Sequence, residues 1–111
     1  MQATDLVRIR HMIDKAKSAQ QFLAGHQRAD LETNRMLLFA VVRAIEVIGE
    51  AASQVSSETR SEIPAIPWAS VVVSMRNRLV HGYFDIDTEI VWKTVTDEIP
   101  ELLATLEKVV V

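Results

Sequence analysis

A chain of 111 residues is long enough to bury one core without staples, and the absence of cysteine removes both a disulfide framework and a thiolate metal site. A formal net charge of −3 excludes holding nucleic acid by bulk electrostatics, so any polyanion has to meet a local basic patch. No apolar run approaches the ~18 residues of a membrane span, and no leader-like charged and apolar regions open the chain, so a single soluble domain over residues 1–111, located in the cytoplasm, is expected.

Hydrophobic periodicity predicts helix along nearly the whole chain. A first helix is predicted from about Thr4 to Leu23, with Thr4 as its cap, Gly25 as its stop, and Leu6, Ile9, Ile13, Ala16, Phe22 and Leu23 facing inward. A second helix is predicted from about Asp30 to Val55. There Leu31, Leu38, Ile45 and Ala52 recur every seven residues, and Val41, Ile48 and Val55 complete the row, the pattern of a bundle seam.

Pro64 and Pro67 then break the chain, and Pro67 suits the first position of a third helix reaching about Val80, with Trp68, Val71, Val72, Met75 and Leu79 on its apolar face. The run Val71-Val72-Val73 is β-branched, but without a partner a strand there is unstable, so helix is preferred. Asp87 can cap a fourth helix with Ile90, Val91, Val95, Ile99, Leu102, Leu103, Leu106 and Val109 inward, and Pro100 should kink or split it. The fold expected is an all-α, up-and-down four-helix bundle with a short extra helix or a kinked last one.

Charge is unevenly spread. Residues 1–43 hold seven Lys/Arg against four Asp/Glu, and residues 44–111 hold five against eleven. Arg8, His11 and Lys15 share one face of the first helix and read first as a solvated surface. Glu46 and Glu50 have the spacing of di-metal bundle carboxylates, yet no Glu-x-x-His partner follows, so no metal site is expected. Nor is a cofactor. His11 and His26 read as surface residues. Most of the six aromatic residues are expected in the core, which leaves no base-reading aromatic platform.

One segment carries chemistry. Arg76-Asn77-Arg78-Leu79-Val80-His81-Gly82-Tyr83 gathers a permanent cation, a group that titrates near physiological pH and the chain's only tyrosine. If the helix ran through it, Arg76 and His81 would stand about 140° apart, and Asn77 only about 40° from His81, where its amide could orient the imidazole. Convergence of Arg76 and His81 then requires either a helix end near Gly82 or two copies of the third helix meeting near a two-fold axis.

The stretch from Ile63 to Trp92, IPAIPWASVVVSMRNRLVHGYFDIDTEIVW, together with AIEVIGEAA at Ala44 to Ala52, resembles the HepT-like branch of the HEPN superfamily. That resemblance implies a homodimer with a metal-independent endoribonuclease site at its interface. Catalytic roles would fall to Arg76 and His81, with Asn77 and Arg78 ancillary. It implies as partner a nucleotidyltransferase antitoxin of MntA type, in a type VII toxin–antitoxin pair, that attaches AMP to Tyr83; RNA, not DNA or membrane, would be the substrate. Glu50 matches a family position and is expected to pair with an arginine. The competing expectation is a non-catalytic subunit that binds substrate for, or scaffolds, a nucleotidyltransferase.

Overall fold

The computed structural model describes residues 1–77, 80–81 and 85–110, with residues 76, 77, 80, 81 and 85 described by their backbone alone. The architecture is all-α. In chain order it comprises α1 (Ala3–Leu23), α2 (Asp30–Thr33), α3 (Arg35–Gln54), α4 (Ser57–Glu62), α5 (Trp68–Asn77), α6 (Thr88–Lys93), a π turn (Thr94–Glu98) and α7 (Ile99–Val109). A two-residue ladder, β1 (Val80–His81) and β2 (Asp85–Ile86), sits between α5 and α6, antiparallel with Val80 opposite Ile86 and His81 opposite Asp85.

The core is one apolar cluster. The packing of α1 on α3 and of α3 on α5 builds most of it, and α7 closes it against α1. Ile9, Met12, Ala16 and Ala19 line the buried face of α1, while Val41, Ile45, Ile48 and Ala52 repeat at helical spacing along α3. The predicted seam of the second helix is therefore in place. So is the inward face of the last helix, with Val91, Val95, Ile99, Leu102, Leu103 and Leu106 buried.

Three local expectations need correction. Thr4 lies inside α1, which begins after Gln2 with no side-chain cap, and Phe22 is exposed while Met12 and Ala19 take the inward positions. The segment predicted as one helix from Asp30 to Val55 is broken at Asn34, whose extended backbone lets its side chain accept the Leu37 N–H at 3.1 Å and start α3 afresh. Helix α4, capped by Ser56, is a short extra helix of the kind expected, at a place no residue pattern marked. The third helix, described through Asn77, does not reach Val80, because Val80-His81 is extended.

Three predicted punctuations hold. Gly25, at φ +79°, reverses the chain after α1, and the His26 N–H reaches the Leu23 carbonyl at 2.9 Å. Asp87 caps α6 by accepting the Ile90 N–H at 3.1 Å. Pro100 has no N–H to give the carbonyl four residues back and its ring crowds that position; the five-residue π turn widens the helix immediately before it.

Candidate active site

The start of α5 is fixed by a hub built on Arg60. Its Nη2 donates to the Ala52 carbonyl at 2.9 Å, which also accepts the Val55 N–H, and its Nε to the Val55 carbonyl at 3.1 Å, so the guanidinium fastens the end of α3. The same guanidinium lies over the Trp68 ring, 5.8 Å from its centroid, and the Trp68 indole N–H donates to the Ile63 carbonyl at 3.1 Å. Helix α5 thus begins beside the C-terminal end of α3 and runs back along it. Buried Val71 and Met75 form the contact.

The far end of α5 carries the motif. Arg76 and Asn77 close its last turn, and His81 occupies β1 with Asp85 across the ladder. Because His81 is in extended chain, the same-face relation to Asn77 expected from a continuous helix does not hold. Arg78 and Tyr83 lie outside the described residues.

The opposite face of α5 is open. Ala69, Ser70 and Val73 are exposed, Val73 by 51%. Beside it, Ser74, Ile90, Lys93, Thr94 and Glu98 line a shallow depression. Lys93, which the sequence reading did not single out, brings a cation next to the turn preceding Arg76. No local signal marks it, because α5 and α6 meet only in three dimensions. A second groove of about 220 Å³ between α5 and α7 has Glu98 and Glu101 on its rim, which makes it unsuited to a phosphate backbone.

Elsewhere, Glu50 pairs with Arg43 at 3.2 Å on the exposed side of α3, as expected for it. Lys15 pairs with Asp14, so the basic face of α1 is partly offset by its own helix. His26 lies 3.1 Å from Asp30, whose carboxyl is held below its ordinary range first by the Gln27 backbone N–H and then by His26. Phe22 and Phe39 stand about half exposed, whereas Trp68 is buried.

Against known proteins, the model of the ribonuclease HepT-like family matches residues 12–109. The chain belongs to that family. Among its HepT-like relatives is a protein of Thermococcus cleftensis named "Probable ribonuclease HepT", 39% identical over 79 residues, or 71% of each chain. Two others carry the name "Putative RNase". One, from Methanocaldococcus jannaschii, is 33% identical over 86% of this chain and 87% of its own; the other, from Caldanaerobacter subterraneus, is 32% identical over 85% and 83%. No solved structure matches the chain. Among the described residues no helix is long and apolar enough to cross a membrane.

Proposed function

We propose that this HepT-like chain is a metal-independent endoribonuclease toxin, active in the cytoplasm as a homodimer whose interface gathers Arg76 and His81 from both subunits. The observation that carries the reading is the match to a ribonuclease family over residues 12–109, which takes in the whole Arg76–Tyr83 segment. The uncovered stripe of α5 supports the dimer: Ala69, Ser70 and Val73 are small enough for close helix approach, and pairing two such stripes brings both ends carrying position 76 to one cleft.

In that cleft one His81 removes the proton of a ribose 2′-OH as the oxygen attacks the adjacent phosphorus, and the second protonates the departing 5′-oxygen. Arg76 stabilises the charge that builds on the phosphoryl oxygens. The products are a 2′,3′-cyclic phosphate and a 5′-hydroxyl. Asp85 stands opposite His81 in the backbone ladder. Asn77 and Arg78 remain as flanking polar groups.

Total RNA incubated with the protein in chelator should be degraded, and His81→Ala or Arg76→Ala should lower the rate by about 10²-fold or more. A scaffold subunit would leave RNA intact with all three proteins, and that result would remove the nuclease reading.

Regulation follows from the same segment. An MntA-type nucleotidyltransferase antitoxin that attaches AMP to Tyr83 would set a negative phosphoryl group beside the cations needed for RNA. Intact mass after incubation with ATP and the partner should show an AMP adduct on the wild type and none on Tyr83→Phe; an adduct that persists on the variant places the modification elsewhere.

A further inference from the structure

The first turns of α3 present an arrangement that the proposed site does not use. Phe39 is 50% exposed, and the Arg35 guanidinium lies over its ring at 5.5 Å from the centroid. Met36, three residues before Phe39, is 85% exposed, and Arg43 continues the stripe one turn further on. An apolar surface of this size left in water on a helix, backed by a planar cation, is a stacking platform in search of a flat partner.

Charge selects the partner. Arg43 is offset by Glu50, but among the described residues no carboxylate lies within ion-pair distance of Arg35. The platform belongs to the net-positive part of the chain, residues 1–43, and to the start of a 20-residue helix whose dipole favours anions there. A second copy fits less well. A two-fold axis through the patch would bring each Arg35 toward its own symmetry mate without an acid between them. Because α5 runs back along α3 from the Arg60 hub, its Arg76 end points toward the half of α3 that holds Phe39.

We infer that Arg35 and Phe39 form an accessory binding site for single-stranded RNA, in which a nucleobase stacks on the Phe39 ring and the Arg35 guanidinium contacts the neighbouring phosphate. The site rests on the ribonuclease reading and extends it by naming the form of substrate, an unpaired strand whose bases are free to stack. A duplex, with its bases already stacked, gains nothing from Phe39.

The test uses the full-length His81→Ala protein, which holds RNA without cutting it, and a short fluorescein-labelled oligoribonucleotide followed by fluorescence anisotropy. Phe39→Ala in that background should weaken binding roughly five- to 150-fold, and Phe39→Trp should restore it. An oligomer of equal length made of abasic units should bind equally to the proteins with and without the Phe39→Ala change. Circular dichroism and light scattering accompany each variant. Unchanged affinity in Phe39→Ala, or a loss explained by unfolding or by dissociation of the dimer, overturns the inference, the last result assigning this face to self-association. Cleavage by the wild type separates the two readings. If it cuts RNA while Phe39→Ala binds normally, only the accessory site falls; if it neither cuts nor, as His81→Ala, binds the oligomer, both fall.

Discussion

Asp5 shows how a single residue can hold two distant helices together. Its side chain is 3% exposed, and its carboxylate accepts the Ser56 hydroxyl at 2.6 Å, the Thr59 hydroxyl at 2.6 Å and the Ser56 N–H at 3.0 Å. The first turn of α1 is thereby fastened to the cap of α4. These bonds, the Ser56 hydroxyl foremost, then Thr59 and the Ser56 backbone, hold the Asp5 carboxyl below the usual carboxylate range. A carboxyl lowered in the folded state stabilises it fully above the pKa of the unfolded chain and loses that contribution as pH falls through the folded value. Asp5→Ala should therefore lower Tm by several degrees at neutral pH, since it strands donors in the interior, and its Tm should decline less steeply than the wild type's on acidification below the ordinary carboxylate range. Thermal melts over a pH series would show this. Parallel wild-type and variant curves would mean that Asp5 does not titrate as described. The sequence offered no hint of the cluster, because an acid in a first helical turn already has a sufficient local reason to be there, and its partners lie more than fifty residues away.

At the scale of elements, α5 matters most. One side is anchored: Trp68 sits in the Arg60 hub, and Val71 and Met75 pack into the core. The other side ends in water at Ala69, Ser70 and Val73. A glutamate at a position already half exposed leaves the subunit's own core intact but sets two carboxylates face to face wherever paired α5 helices meet. Val73→Glu should accordingly keep the wild-type circular dichroism and Tm within a few degrees, shift the mass seen by light scattering from dimer to monomer, and abolish RNA cleavage with it. A monomer that still cuts RNA would show that one subunit suffices. The last helix makes a different point about legibility. Pro100 announced a break, and the break is there, but its form, a π turn placed just before the proline, was not written in any residue of Thr94–Glu98. It sits where Pro100 leaves the helix without an N–H donor.

Over the whole molecule, the sequence by itself determined the helical class, the inward faces of α3 and α7, the caps at Gly25 and Asp87 and the segment where chemistry-bearing residues cluster. All of these depend on residues within a turn or two of one another, where helical period and backbone stereochemistry act directly. Packing decided the rest. It left Val80-His81 extended, with His81 registered opposite Asp85; it gave Arg60 its carbonyls, buried Asp5 and joined Lys93 to the neighbourhood of Ser74. It also left Phe39 in solvent, where its apolar character alone argued for the core. Burial and long-range pairing depend on which surfaces meet once the helices have chosen their neighbours, and that choice is a property of the assembled volume, not of any local stretch of chain.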